Sequence, residues 1–300
     1  MKITNHYGLP QPIVAAVQHD IYSKGEANAS ATDLLKPSRI FALQSLYDDK
    51  VEVDVSDCVA VLLGRTMHTV LQDAERDAIP EMRLFSILND WVISGQTDRL
   101  VYKDGILQDY KTCRVDSFTY KEKNNFIEWE QQLNIYAYLW RKNNPNWNLK
   151  ILQAIVMFLD WSPTRYERSP VTYPPHSVIS VNIPQWPQEK TEAWMRERIE
   201  SHKEALKNLP ECSKEERWHS GEHWAVKKGG RKNAIKKFDN AWEATAWMDL
   251  NRHQETATSK MFIEHRRGVS RRCKNWCEVS RFCDQWQTEQ LLTEANEAEG

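Results

Sequence analysis

Apolar residues at Val59, Leu62, Leu63, Met67, Val70 and Leu71 fall at helical spacing and predict a helix over 57–77. Three strand-like runs follow as a meander, at 82–88, 91–102 and 106–113. Asp104-Gly105 lies between the last two, a pair suited to the positive φ of a tight hairpin turn. After a polar loop at 121–125, Ile127, Leu133, Ile135, Tyr136, Leu139 and Trp140 predict a helix over 126–143. The run 150–160 is nearly continuously apolar, as a strand inside a sheet is. Upstream, 1–28 reads as an irregular leader, and a helix starts near Ser30 or Thr32 and must break or restart at Pro37. Downstream, Ser162-Pro163 and Tyr173-Pro-Pro175 mark loops, 178–183 a short strand and 188–208 a charged helix. The tail beyond 292 is acidic and small, and is expected to fray. These elements predict an α/β fold.

Closing the hairpin at Asp104-Gly105 pairs Lys103 with Ile106, Leu100 with Asp109 and Asp98 with Lys111. Side chains alternate along a strand, so Asp98, Asp109 and Lys111 emerge on one face. A three-residue turn would break that arrangement. Two close carboxylates favour a hard divalent cation such as Mg²⁺, and a neighbouring lysine can hold water and stabilise phosphate charge. Spacing alone favours a surface hairpin with one Asp98–Lys111 salt bridge, since Asp and Lys are common on exposed strands.

Four motifs in order change that balance: Gly64-Arg-Thr-Met-His68, Gly95-Gln-Thr-Asp98, Asp109-Tyr-Lys111-Thr112 and Gln132-Leu-Asn-Ile-Tyr136. Together they resemble the PD-(D/E)xK nucleases, in their RecB-type exonuclease branch. The resemblance implies a restriction-endonuclease-like αβββαβ core, with a mixed central sheet flanked by helices. It implies Mg²⁺ or Mn²⁺ held by His68, Asp98, Asp109 and the backbone carbonyl of Tyr110. Lys111 would orient or deprotonate water, with Gln132 positioning Lys111 or the scissile strand and Tyr136 supporting it. The implied activity is hydrolysis of DNA, as an exonuclease of recombination or repair. A phage origin and a partner such as a single-strand annealing protein belong to the same resemblance. The competing readings are a nucleic-acid-binding scaffold without cleavage activity and a structural protein whose acidic hairpin is coincidental.

The chain has 300 residues, 41% hydrophobic and 27% charged, which suits a globular protein with a sizeable core. Its net charge of −2 excludes a globally basic nucleic-acid binder, so any DNA footprint is local. The stretch 225–238 supplies a candidate, with Lys227, Lys228, Arg231, Lys232, Lys236 and Lys237 and no acidic residue. No apolar run reaches 18 residues, and the N-terminus lacks a signal-peptide pattern, so the expected setting is cytoplasmic, without a membrane partner. Disulfides are then unexpected among the six cysteines. Cys58 and Cys113 fall in core elements. Cys273, Cys277 and Cys283, flanked by Arg and Lys, resemble the C-terminal triad of iron–sulfur RecB-like nucleases. The fourth ligand of that family comes from an N-terminal Cys-Pro pair, where this chain has Lys36-Pro37. Cys212 is the candidate fourth donor, for a four-iron cluster or structural Zn²⁺ that would pin the C-terminal segment to the core; the competing reading is unmetallated thiols packing a small C-terminal subdomain with Trp276 and Trp286. The expected organisation is a leader at 1–29, a core at 30–160, an extension completing it at 161–292 and an acidic tail at 293–300.

Overall fold

The computed structural model describes residues 2–18, 25–256 and 259–298, with side chains described as far as 293, and the chain divides into two units, Met1–Pro210 and Glu211–Gly300. In order, the first unit holds β1 (Lys2–Thr4), α1 (Gln11–Gln18), β2 (Ala29–Ser30), α2 (Ala31–Leu35), α3 (Ser38–Tyr47), β3 (Glu52–Asp54) and α4 (Val59–Ala74). It continues with β4 (Ile79–Leu88), β5 (Trp91–Val101), β6 (Ile106–Cys113), α5 (Val115–Lys123), α6 (Ile127–Asn143), β7 (Ile151–Phe158), α7 (Pro163–Arg168), β8 (Val178–Ile183) and α8 (Gln188–Ala205). The fold is therefore mixed α/β.

The central sheet runs β2-β5-β6-β7-β8, with β4 added on β5. It is mixed: β2 with β5 and β6 with β7 are parallel, and the other pairs are antiparallel. Two turns set its register. Asn89 and Asp90, at φ 47° and 61°, form a two-residue turn that places Leu88 opposite Trp91. Asn and Asp tolerate this left-handed geometry, and the turn's twist matches the strands. Between β5 and β6 the ladder reads Val101↔Ile106, Leu100↔Leu107 and Arg99↔Gln108. The turn therefore spans Tyr102 to Gly105, with Gly105 at φ 72°, instead of closing at Asp104-Gly105. The register is shifted by two from the expected Leu100–Asp109 pairing. A shift of two preserves which face each side chain occupies, so the hairpin still gathers the acidic residues.

The larger hydrophobic core of the first unit is built around α6 and the sheet. α6 buries Trp129, Leu133, Ile135, Tyr136, Ala137, Tyr138, Leu139 and Trp140, residues on nearly every side of the helix. Such a helix is an interior one. Its approach to β5 depends on Gly95, where a Cβ would sit 2.6 Å from Leu139 Cδ1 and 3.0 Å from Tyr136 Cδ1. β7, as its apolar sequence requires, runs between β6 and β8.

Several expectations are corrected. The leader is structured where described: β1 pairs in parallel with β3, and α1 buries Val14 and Val17 against Val55. Two others hold: Ser30 caps α2, through a reciprocal capping box with Asp33, and Pro37 separates α2 from α3. The polar stretch at 121–125 is largely the end of α5, which buries Val115 and Phe118. Ser162-Pro163 opens α7, with Ser162 as N-cap and Pro163 in its first turn. The chain divides after Pro210, so β8 and α8 belong to the first unit.

The second unit contains β9 (His223–Lys228), β10 (Lys236–Phe238), α9 (Ala241–Leu250), β11 (Met261–Arg266), α10 (Arg271–Asn275) and α11 (Asp284–Ala298). β9 lies between β10 and β11, both antiparallel to it. Val226, Ala244 and Met261 form the cluster beneath α9, closed by Trp224, Phe238 and Trp247. α11 continues through the stretch expected to fray, reaching Ala298. Among the described residues no helix is long and apolar enough to cross a membrane.

Candidate active site

β5 and β6 stop pairing just beyond Arg99 and Gln108, and the polar residues lie where they part. There the Tyr110 amide donates to Asp98 Oδ2 at 2.6 Å, a side chain replacing the next ladder acceptor. This bond fixes the Asp98 carboxylate against β6. The Tyr110 group that engages Asp98 is its amide, where the sequence points to its carbonyl. α4 lies near this strand because Gly64 has no side chain: a Cβ there would be 3.3 Å from Thr112 Oγ1. One turn along α4, His68 Nδ1 comes within 3.4 Å of Asp98 Oδ1. The Tyr110 ring meets the His68 imidazole edge-on at 5.8 Å.

A third acidic residue joins them. Glu81 lies on β4 between Pro80 and Met82, which pair with Arg99 and Thr97, and so stands across from Asp98. His68 Nδ1 is 4.0 Å from Glu81 Oε1. One ligand atom each from His68, Glu81 and Asp98 fall within 4.8 Å of one another, the only such group of three among the described residues. They line a small cleft with Leu71, Gln72, Glu75, Pro80, Arg99 and Tyr110. Glu81 was absent from the sequence-based set. Its signal was there in Asn89-Asp90, because a two-residue turn at that pair puts 81 opposite 98.

Asp109 and Lys111 lie two residues apart on the same face of β6. Asp109 is 3% exposed, and its Oδ2 is ion-paired with Lys111 Nζ at 2.5 Å. Lys111 Nζ donates to Gln132 Oε1 at 2.8 Å, and Gln132 Nε2 donates to the Tyr136 hydroxyl at 2.8 Å. The structure thus links Asp109, Lys111, Gln132 and Tyr136 in one chain of contacts. It leaves Asp109 outside the His68–Glu81–Asp98 triad.

The electrostatics follow from burial and charge crowding. Burial pushes the Asp109 carboxyl up to about 6, with Asp98 adding to the rise and Lys111 opposing it. The hydrogen bond to Asp98 raises the His68 pKa above its usual value against the effect of burial. A divalent cation fits this donor set: the Glu81 and Asp98 carboxylates crowd together with the His68 imidazole, and the buried Asp109 carboxylate adds negative charge that Lys111 opposes.

The other predicted residues lie in the second unit. Lys227, Lys228, Arg231, Lys232, Lys236 and Lys237 fall on β9, β10 and their connecting turn, but Lys227 is ion-paired with Glu264 at 2.8 Å. Cys212, Cys273, Cys277 and Cys283 are all within Glu211–Gly300. Cys212 and Cys283 are buried, and the Gln285 amide clamps the Cys212 backbone, accepting from its N–H at 2.9 Å and donating to its carbonyl at 3.0 Å. The neighbouring Arg and Lys do not make thiolates here. Burial and the nearby Cys277 and Cys283 push the Cys273 thiol up to about 11, and burial raises Cys277 as well. Among the described residues no three cysteine sulfurs lie within 4.8 Å of one another. At the expected N-terminal position, Lys36 Nζ pairs with Asp33 at 2.8 Å and donates to Gln44 at 2.9 Å. Cys58 and Cys113 are half-buried at the edges of the first unit's clusters.

No protein-family model matches the chain, and no curated protein matches it. Among solved structures, one described as "Crystal structure of SSO0001" is similar with a TM-score of 0.46 and 16% sequence identity, covering 69% of this chain and 88% of that one. A likeness at that level carries no argument about activity.

Proposed function

We propose that the protein is a divalent-metal-dependent nuclease of the PD-(D/E)xK type, hydrolysing phosphodiester bonds in DNA. The observation that carries this reading is the meeting of His68, Glu81 and Asp98 beside the Asp109–Lys111–Gln132 chain, where three strands and two helices converge. His68, Asp98 and Asp109 would hold Mg²⁺ or Mn²⁺, with Glu81 as a further carboxylate. When bound, the ion supplies positive charge at the phosphate and acidifies a bound water. Asp98 is oriented for its part by the Tyr110 amide. Lys111 Nζ, anchored by Asp109 and Gln132, would hold the attacking water by donation. Gln132 is in turn fixed by its bond to the Tyr136 hydroxyl, so Tyr136 acts by positioning.

A role as an exonuclease of recombination or repair, working with an annealing protein, rests on the motif resemblance. The deciding experiment incubates the full chain with end-labelled linear and circular DNA, single- and double-stranded, with Mg²⁺, Mn²⁺ or EDTA. Metal-dependent release of nucleotides from linear DNA supports the reading. Binding without cleavage under every metal condition returns the chain to a nucleic-acid-binding scaffold.

We also propose, for the second unit, a structural site of four thiolates holding either an iron–sulfur cluster or Zn²⁺. The clamp of Gln285 on Cys212 supports it, since it brings the Cys212 backbone to the residue two beyond Cys283. Because all four cysteines belong to Glu211–Gly300, such a site would staple this unit internally, in place of the expected link to the core. Iron and zinc analysis with absorption spectra on anaerobically purified protein tests it, and metal-free folded protein rules it out.

A further inference from the structure

The basic run 225–238 does not act as one surface. Side chains alternate along β9, and Val226 is buried beneath α9. Lys228 and Lys236 are used by the unit itself: Lys228 Nζ donates to the Gln254 carbonyl at 2.5 Å, and Lys236 Nζ stands 5.1 Å from the Phe238 ring centre. Lys227 is neutralised by Glu264. Arg231 and Lys232 differ. They follow Gly230, whose φ of 79° makes the turn, and both are exposed.

The fold adds a third cation that the run does not contain. The Gly229 amide donates to the Lys260 carbonyl at 2.9 Å, and Ser259 Oγ donates to the Gly229 carbonyl at 2.8 Å. Lys260 is therefore brought to the same end of the sheet as Arg231 and Lys232, and it too is exposed. Among the described residues none of the three has an ion-pair partner. Glu255, the carboxylate near Lys260, accepts the Met261 amide at 2.7 Å.

We propose that Arg231, Lys232 and Lys260 form a contact for the phosphate backbone of a nucleic acid. The inference rests on the nuclease reading and names the part of the second unit that grips the substrate. Three unpaired cations at one sheet end complement a polyanion, whereas Lys227, Lys228 and Lys236 are already engaged. Phosphate contacts carry no sequence information, so the grip is independent of base sequence. Each contact releases counterions and adds about one unit to the salt dependence of binding.

The test measures DNA binding of the full chain across a KCl series, using two unrelated duplexes, in a Lys111→Ala background that prevents digestion. Lys260→Ser is expected to flatten the log–log salt slope by about one, and Arg231→Ser, Lys232→Ser and Lys260→Ser together by about two to three, equally for both duplexes. Lys227→Ser serves as a control and should leave the slope nearly unchanged. Circular dichroism establishes that each variant is folded. An unchanged slope in the triple variant, a loss confined to one sequence, or no DNA binding at all overturns the proposal. So does a triple variant that loses binding to phosphatidylserine vesicles while keeping its DNA slope, which would make the patch a membrane contact. Cleavage by the unmodified chain is measured separately. Cleavage with an unchanged slope removes the patch and keeps the nuclease, and a flattened slope without cleavage does the reverse.

Discussion

The acidic cleft of the first unit and the cysteine segment of the second are held by different kinds of structure. Glu81, Asp98 and Asp109 sit on three adjacent strands whose register is set by two turns, and His68 is brought in by a helix resting on the strand at Gly64. Three ligand atoms are already within 4.8 Å of one another. Backbone hydrogen bonds hold like charges together there, which costs energy that the core repays. The cysteines lie instead on a loop, a five-residue helix, a turn and the exit of a 3₁₀ turn, and burial raises the thiol pKa of Cys273 and Cys277. Register preorganises the first site, while the second gains its order from short-range clamps such as Gln285. A site of the first kind keeps its shape when its metal is removed. A site of the second kind depends on its metal for folding.

The largest effect expected from this contrast is catalytic. Asp109→Ala or Lys111→Ala should lower cleavage by about 10³-fold or more, because each removes charge placed at the reacting phosphate. Metal binding, followed by Mn²⁺ titration, should fail for Asp109→Ala and survive for Lys111→Ala. Both variants should keep the secondary structure of the parent, since neither side chain is part of the apolar core. Cleavage near the parental rate by either variant would refute the assigned roles.

The next effect lies in the other region. Cys283→Ser, or prolonged chelation, should destabilise residues 211–300 and leave Met1–Pro210 folded, as read by hydrogen exchange over the two units. Mn²⁺ affinity at the first unit should be unchanged in protein that stays folded. Uniform protection across both units after chelation would erase the proposed difference between them.

The sequence exposed the first region well because its signals are local. The hairpin glycine, the spacing of Asp109 and Lys111, and the one-turn separation of Gln132 and Tyr136 needed only strand and helix periods. Glu81 escaped because Pro80 reads as a strand breaker. In the structure Pro80 is tolerated because, among the described residues, β4 pairs with β5 alone. The parallel pairing of β1 with β3 was not legible either, since it joins short polar strands fifty residues apart in sequence. In the second unit, Lys260 joins Arg231 and Lys232 through a backbone contact that no residue pattern announces.

A third prediction concerns two histidines of the first unit in opposite states. His68 is raised by Asp98, whereas His202 is fully buried and its pKa falls from 6.5 to about 4 through burial. His202 Nε2 faces the Asp33 carbonyl at 3.0 Å, so that nitrogen carries the proton, and Nδ1 accepts from Ser38 Oγ at 2.9 Å. The unfolded chain then binds more protons than the folded one between pH 6.5 and 4. The His202 contribution to stability is retained above that window and lost as pH falls through it, by about 2 kcal/mol from pH 7 to 5, while Asp109, raised in the fold, acts in the opposite direction. Urea unfolding at the two pH values measures this. His202→Gln should remove most of the difference, and an equal pH dependence in that variant would assign it to other groups.

The smallest expected effect probes the packing that supports the preorganised site. A methyl group on Gly95 would meet Leu139 Cδ1 at 2.6 Å and the Tyr136 ring at 3.0 and 3.1 Å. Both neighbours are side chains with some freedom, so Gly95→Ala should cost about 1 kcal/mol, the low end for overpacking a core. Its consequence for chemistry is more specific than its cost. Tyr136 holds Gln132, and Gln132 holds Lys111, so the strain is passed to the amine of Lys111. Of the proposed ligands, His68, Glu81 and Asp98 stand on α4, β4 and β5 outside that chain, and Asp109 meets it only through the Lys111 amine while its backbone is fixed in β6. Gly95→Ala should therefore reduce the cleavage rate at saturating metal while leaving Mn²⁺ affinity within about twofold of the parent. Equal losses in metal affinity and rate would show that α6 and the metal ligands move as one body, and the separation between the two halves of the site would not hold.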